Sequence, residues 1–101
     1  MRKQTESAVN AFNNGKPFKG TNTKVTSDGV SVGMYLFDNL IAYKSGNELS
    51  ISSCGWNTAT TKERLNGLLR SNNLPILSQS NFEWFIGDKP FNGRATFKLK
   101  S

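Results

Sequence analysis

The chain has 101 residues, a formal net charge of +6 and 36% hydrophobic residues, which suits one domain with a modest core. It contains no histidine and one cysteine, Cys54, so histidine-assisted nucleophiles, histidine metal sites and an internal disulfide are excluded. Its acidic residues are scattered, without a spacing that would hold Mg²⁺. We therefore expect a single domain over residues 1–101 that is not an enzyme and holds neither a cofactor nor a metal.

The positive charge is concentrated towards the carboxyl end. Residues 61–101 carry seven lysines and arginines against three acidic residues. A basic surplus favours polyanionic partners or acidic protein surfaces, although it also serves solubility alone. The charged start Met1-Arg2-Lys3 has no apolar run behind it. We therefore expect no signal peptide, no membrane partner and a cytosolic location.

The first third of the chain predicts a short helix followed by strands. Thr5 is a suitable cap for a helix over Glu6–Asn13, and Thr21–Thr26 alternates weakly as a strand. Asp28-Gly29 is a strong hairpin signal. It introduces Val30–Phe37, the clearest strand, in which aliphatic residues occupy every second position.

The middle of the chain predicts two more strands and the main helix. Leu40–Lys44 and Glu48–Ser53 extend an antiparallel meander that keeps one apolar face. The run Thr60-Thr61-Lys62-Glu63 has the pattern of a capping box, with Thr60 as the N-cap and Glu63 reaching back to it. Leucines then follow at i, i+3 and i+4, which predicts a helix over about 60–71 that packs on the sheet.

The carboxyl end predicts the remaining strands. Ile76–Ser80 and Phe82–Ile86 are candidate strands, and Arg94–Leu99 alternates apolar and polar residues without a break. The similar segments Lys16–Gly20 and Lys89–Gly93 are predicted as turns. The sequence thus predicts an α+β fold. It is an antiparallel sheet of about five to six strands, a meander plus a C-terminal hairpin, packed by the main helix and a short N-terminal helix.

Basic residues supply the first candidate site. The outward side of the last strand presents a ladder of cations, and the main helix carries further cations on its solvent stripe and beside its leucines. Such charges suit phosphate backbones. The predicted nucleic-acid or partner-binding residues are Lys62, Arg64, Arg70, Arg94, Lys98 and Lys100. The alternative is a solvated helix face, with Asn66 on it, and an edge strand protected by lysines.

Aromatic residues supply a second candidate site. Tyr35 and Phe37 fall on the face opposite the aliphatic residues of their strand. If exposed, that face is a stacking platform for bases or a protein anchor, and if the N-terminal helix covers it, both residues belong to the core. Trp84 and Phe85 are neighbours, so one of them can be exposed in a strand. The candidate aromatic anchors are Tyr35, Tyr43 and Trp84.

The corner Cys54-Gly55-Trp56 joins the meander to the main helix. We expect Trp56 to be a structural wedge under the start of the helix, with Gly55 permitting the bend. Cys54 has no histidine to activate it and is expected to be a buried, inert thiol.

Several motifs together resemble one family. The runs Asn39–Tyr43, Leu49–Ser52 and Cys54–Trp56 and the helix start Thr60–Asn66 are similar to a pattern found in small proteins of tailed bacteriophages that have no established activity. The flanking segments are similar as well, so the resemblance covers about Gly20–Gly93. It transfers no functional residue.

The resemblance implies a phage origin and a location in the host bacterial cytoplasm. Small accessory phage proteins usually act by binding, which is an expectation at the level of their class. The first hypothesis is a non-enzymatic phage accessory protein that binds nucleic acid, or a nucleic-acid-handling host complex, through its basic surface. One alternative is an anti-defence, anti-CRISPR-like inhibitor that binds a host protein through an aromatic patch. A further alternative is a small structural phage protein that forms a homo-oligomer.

Overall fold

A computed structural model describes residues 3–99. This part of the chain forms two helices, α1 (Lys3–Asn13) and α2 (Ala59–Ser71), and nine strands. In chain order the strands are β1 (Phe18–Lys19), β2 (Thr23–Ser27), β3 (Ser31–Leu36), β4 (Asn39–Ser45), β5 (Glu48–Ser52), β6 (Leu77–Ser80), β7 (Glu83–Ile86), β8 (Lys89–Pro90) and β9 (Arg94–Lys98). The predicted α+β fold class is confirmed.

The strands form two antiparallel sheets. The larger has the order β1-β2-β3-β4-β5-β9 and the smaller the order β6-β7-β8. The predicted C-terminal hairpin therefore forms a sheet of its own, and β9 alone returns to pair with β5. Asn66 of α2 holds the small sheet in place, because its side-chain amide donates to the Leu77 carbonyl at 3.0 Å and accepts from the Leu77 N–H at 2.7 Å. Asn66 is thus buried and does not lie on a solvent stripe.

Both helices pack on one face of the six-stranded sheet. Leu65 and Leu68 of α2 and Phe12 of α1 are fully buried there, in one cluster with Met34 and Leu49 of the sheet. The leucines at i and i+3 therefore pack α2 on the sheet, as the sequence predicts. Because side chains alternate along a strand, every second residue of the sheet points away from the helices.

A β-bulge in β4 changes which of its residues face the core. Met34 pairs with Ala42 and Tyr35 with Leu40, so Ile41 is the extra residue on β4. Ile41 and Ala42 are neighbours in the sequence and both are buried. The bulge allows this departure from strict alternation.

Several predicted boundaries are corrected. The first helix begins at Lys3, so Thr5 lies inside it, where it is buried and donates to Glu63 Oε1 at 3.0 Å. Val30 precedes β3 and is exposed because the Asp28-Gly29 turn continues through it. The two segments predicted as turns also contain the two-residue strands β1 and β8.

The predicted capping box of α2 is wrong. Thr58 is the N-cap, with extended backbone angles of −107° and 164°, and its side-chain oxygen accepts from the Thr61 N–H. That hydrogen bond measures 3.2 Å. Thr60 lies within the first turn, and the Glu63 carboxylate contacts Thr5 and Arg64. Several threonines at the helix start can each cap it, and the backbone after the Trp56 corner selects Thr58.

Candidate functional site

Arg64 is a buried residue that joins three elements, with 2% of its surface exposed. Its Nε donates to Thr23 Oγ1 at 2.8 Å, its Nη1 to Glu63 Oε1 at 2.6 Å and its Nη2 to Asn22 Oδ1 at 3.2 Å. Nη1 also contacts the Thr5 hydroxyl. Arg64, predicted as a binding residue on the flank of the leucines, lies where α2 meets α1 and β2. Arg64 is therefore not part of a binding surface.

The other predicted cations lie on two sides of the molecule. Lys62 and Arg70 belong to α2, on the helical side of the large sheet. Arg94 and Lys98 are exposed and alternate with the core-facing residues of β9, so they point away from the helices. Lys100 lies outside the described residues. The predicted basic residues therefore do not form one patch.

The side of the large sheet that faces away from the helices combines cations with tyrosines, and we call it the open face. Its register places Lys24 beside Tyr35 and Gly33 beside Tyr43. Tyr43 is 43% exposed and Tyr35 is half-buried. The charged and aromatic residues of this face are Lys19, Lys24, Tyr35, Tyr43, Glu48, Arg94 and Lys98. Four cations thus share the face with Glu48, and the Asp28 carboxylate borders it at the β2–β3 turn.

Gly33 forms the floor of the open face at its centre. A Cβ atom at this position would lie 3.1 Å from Leu40 Cδ1 and 3.3 Å from Tyr35 Cε1. The missing side chain therefore lets the Tyr35 ring and Leu40 lie close to the sheet. The Lys24 ammonium stands 5.2 Å from the centre of the Tyr35 ring, within the range of a cation–π contact.

Two grooves run beside Leu40 and Tyr43 on the open face. One, of about 360 Å³, extends towards the β2–β3 turn and is lined by Thr26, Ser31 and Tyr35 among others. The other, of about 400 Å³, extends towards β9 and includes Ser50, Arg94 and Thr96 in its lining. Tyr43 is therefore a ridge between two depressions, accessible from both.

Asp28 closes the first groove at the β2–β3 turn. Its Oδ1 accepts from the Ser31 N–H at 2.8 Å and from the Val30 N–H at 2.9 Å. These backbone hydrogen bonds, the one from Ser31 first, lower the pKa of the Asp28 carboxyl below its ordinary value. The carboxylate is committed to the turn and serves the shape of the hairpin.

The two tryptophans have the opposite of their predicted roles: Trp84, a predicted anchor, is buried, and Trp56, the predicted wedge, is exposed. Trp84 is buried and stacks on Phe91 with ring centroids 6.3 Å apart, so it cannot be a surface anchor. Trp56 is 60% exposed and Phe37 is 66% exposed. The wedge prediction for Trp56 is wrong, because positive φ angles at Cys54 and Gly55 turn the chain outward before it.

Phe37 and Trp56 both line one apolar cavity of about 340 Å³, which we call the corner cavity. It lies where the β3–β4 turn meets the start of α2. Its remaining lining residues are Leu36, Asn39, Ile41, Ser53, Thr58 and Thr61. The sequence prediction placed Phe37 at the end of a strand, whereas the structure places it in the two-residue turn between β3 and β4, where no neighbouring strand covers its ring.

Cys54 is exposed, contrary to prediction. Its thiol donates to the Leu40 carbonyl oxygen at 3.0 Å, and its N–H donates to Ser52 Oγ at 3.1 Å. These bonds tie the corner before α2 to the beginning of β4. The role of Cys54 is therefore to fix the corner from the outside, not to fill the core.

Residues 3–99 contain no cluster of three or more cysteine, aspartate or glutamate side chains that could hold a metal ion. Neither helix of this range combines the length and apolar character needed to cross a membrane.

The family model of the Kyanoviridae Gp96 protein matches residues 1–99. The chain belongs to this family. It is a phage protein family, so the phage origin that the sequence motifs implied is confirmed. No curated protein and no solved structure matches the chain.

Membership in the Gp96 family extends over both halves of the site. The match includes β2 and β3, which carry Lys24 and Tyr35, and also β9, which carries Arg94. The open face and the corner cavity thus both lie within the matched residues. Their chemistry has to be argued from their own residues.

Proposed function

We propose that this phage protein is an accessory protein that binds single-stranded nucleic acid on the open face of its large sheet. The observation that supports this most strongly is the position of Tyr35 and Tyr43 on central strands, between a pair of cations at each edge. Proteins that bind single strands combine aromatic rings, on which bases stack, with cations that follow the phosphates.

The edges of the open face supply the cations. Lys19 and Lys24 lie on β1 and β2, and Arg94 and Lys98 lie on β9. Six strands spaced by about 4.8 Å separate the two edges by roughly 24 Å, which accommodates several nucleotides. Glu48 lies opposite Lys98 in the register and partly offsets that charge.

The middle of the open face suits unpaired bases. The Tyr43 ring offers an accessible surface, and Ser50 and Thr96 beside it carry hydroxyl groups that are 3.4 Å apart. Hydroxyls both donate and accept hydrogen bonds, so they tolerate different base edges. Bases within a duplex have their faces stacked on one another and cannot use this ridge. We therefore expect a preference for single strands with little dependence on sequence.

The experiment is a fluorescence-anisotropy titration with labelled oligothymidylate, its RNA counterpart and a duplex, at low and at physiological salt. Tyr43→Ala should weaken single-strand binding by about 1–3 kcal/mol, the value of one stacked base. The double variant Arg94→Glu with Lys98→Glu should abolish binding at physiological salt. Thermal melting should show both variants folded, because all three side chains are exposed.

The matched control is Lys62→Glu with Arg70→Glu, which makes the same change in net charge on the helical side. One change falls in the first turn of α2 and the other in the last, so their effects on the helix dipole oppose each other. Full binding by this control would assign the interaction to the open face. Loss of binding in the control but not in the β9 variant would overturn the assignment and favour the helix. No binding by the unaltered protein would exclude nucleic acid and favour a host-protein target.

A further inference from the structure

The corner cavity is bordered by two large aromatic rings that the fold leaves in solvent. Phe37 and Trp56 are each more than half exposed, so neither ring is part of the buried core. Cavities that bind ligands usually have 300–1,000 Å³ and apolar walls with a few polar groups. The corner cavity has about 340 Å³ and adds Asn39, Ser53 and Thr58 to its apolar walls.

The turn that carries Phe37 is strained by its sequence. Phe37 and Asp38 have φ angles of 48° and 66°, the left-handed pair of a two-residue hairpin turn. Asn and Gly adopt this conformation readily, whereas a bulky residue such as Phe does so at a cost. Phe82 has the same left-handed conformation in the β6–β7 turn and is 97% exposed, so it is the position of Phe37 beside the corner cavity that distinguishes this turn. The turn thus holds a ring beside the cavity at a cost in stability.

The corner cavity and the open-face groove between β4 and β9 are neighbours at the start of β4. Ile41 lines both this cavity and the groove between β4 and β9, and that groove is also lined by Arg94. Leu40 and Cys54 both line that groove, and the Cys54 thiol donates a hydrogen bond to the Leu40 carbonyl there. From Tyr43 to Asn39 the β4 strand spans about 13 Å. A strand lying on Tyr43 can therefore place a neighbouring nucleotide at the corner.

We propose that the corner cavity receives one unstacked base of the single strand bound on the open face, with Trp56 and Phe37 as its stacking partners. This inference rests on the proposed function. A base has two apolar faces and a polar edge, which matches aromatic walls combined with amide and hydroxyl groups. Arg94 lines the neighbouring groove, and its positive charge favours a phosphate-linked ligand over an apolar segment of a protein.

The fluorescence of Trp56 can report directly whether a base enters the corner cavity. In the variant Trp84→Phe, Trp56 is the sole tryptophan, since the chain has two. Oligothymidylate of about 12 nucleotides, within the range of about 4–16 that an OB-fold domain covers, should quench Trp56 and shield it from acrylamide. Trp56→Ala should weaken binding roughly 5- to 150-fold, the range for loss of one stacked base. Trp84→Phe by itself should leave the affinity unchanged.

Phe37→Asn separates binding from folding. Asparagine suits the left-handed turn, so this variant should melt at the same or a higher temperature while binding the oligonucleotide more weakly. An oligonucleotide that binds with unchanged affinity to Trp56→Ala and leaves Trp56 emission untouched would overturn the inference. Retained sensitivity to Tyr43→Ala in the same experiment would show that the open face still functions, and would leave the cavity to an apolar side chain of a protein partner. Absence of all oligonucleotide binding would overturn both proposals together.

Discussion

The guanidinium group of Arg64 connects the two helices to the edge of the sheet. It donates to groups on α1, on β2 and on the loop before β2, and it pairs with Glu63 on its own helix. No buried side-chain nitrogen or oxygen among residues 3–99 lacks a hydrogen-bond partner. A buried charge is tolerated only when its hydrogen bonds are satisfied in this way. Arg64 thus fixes how the two helices pack against β2.

Replacement Arg64→Met should therefore destabilise the protein by about 2–3 kcal/mol. The methionine fills similar volume but leaves Thr23 without its donor and Glu63 without its nearest cation. Because Glu63 is partly exposed, water recovers some of this loss. Urea denaturation measures the change. The control Arg70→Met, in the exposed last turn, should cost less than about 1 kcal/mol. Equal effects of the two substitutions would contradict the assigned role of the buried cluster.

The start of α2 offers a direct comparison between two threonines. Thr58 accepts from the Thr61 N–H, whereas Thr60 lies within the first turn. Thr58→Ala should cost about 1 kcal/mol, the usual value for loss of an N-cap. Thr60→Ala should be neutral or slightly stabilising, because alanine is the better helix former. Thermal melts of the two variants decide the matter. A larger loss for Thr60→Ala would restore the capping box that the sequence predicted.

The β2–β3 turn should give the protein a pH-dependent element. The pKa of Asp28 is lower in the folded chain than its ordinary value of 3.8, chiefly because the Ser31 and Val30 amides donate to it. A lowered folded pKa means that ionised Asp28 stabilises the fold above the unfolded pKa. This contribution is lost as pH falls through the folded pKa.

Asp28→Asn keeps the shape of the turn but removes this titration. The melting temperature of the unaltered protein should therefore approach that of the variant as pH falls below the ordinary value of 3.8 and through the lower folded pKa. The other carboxylates act equally in both proteins. A constant difference across this range would show that Asp28 does not contribute to the pH dependence.

Regular alternation of apolar and polar residues predicted the strands well. The features that the sequence did not predict depend on contacts between separate elements. Val32, Met34 and Leu36 alternate toward one face, so β3 was predictable within a residue of its start and end. The bulge at Ile41 could not be predicted, because it depends on the register between β3 and β4. The separate small sheet depends on the Asn66 contact with Leu77, which joins residues 11 apart in sequence.

The candidate site was predicted only in part, for the same reason. Tyr35, Tyr43, Arg94 and Lys98 follow from strand alternation, and the structure brings them to one face. Lys24 and Lys19 were missed, since their membership depends on how β1 and β2 join the sheet. Arg64 and Trp84 were misassigned because burial is a tertiary property. Trp56 was misassigned because the φ angles of the corner, not hydrophobicity, direct it outward.

Across the whole molecule, the six-stranded sheet separates two basic regions. The helical side carries Lys62 and Arg70, and the open face carries a pair of cations at each edge. A net charge of +6 attracts polyanions to both sides at low salt, so weak binding alone does not locate the site. The salt dependence of affinity does locate the site when variants are compared. Each phosphate contact contributes a fixed amount to the slope of log affinity against log salt, so removal of a contacting cation lowers that slope.

If a single strand crosses the open face from β1 to β9, both edges contact phosphates. Each contact contributes about 0.7 to the slope of log affinity against log salt for single strands, so removal of two cations should reduce the slope by about 1.4. Lys19→Gln with Lys24→Gln, and Arg94→Gln with Lys98→Gln, should each produce this change, while Lys62→Gln with Arg70→Gln should produce none. A reduction in only one edge variant would show that the strand runs along that edge. Equal reductions in all three variants would mean that binding is unspecific charge attraction, and would contradict the open face as a site.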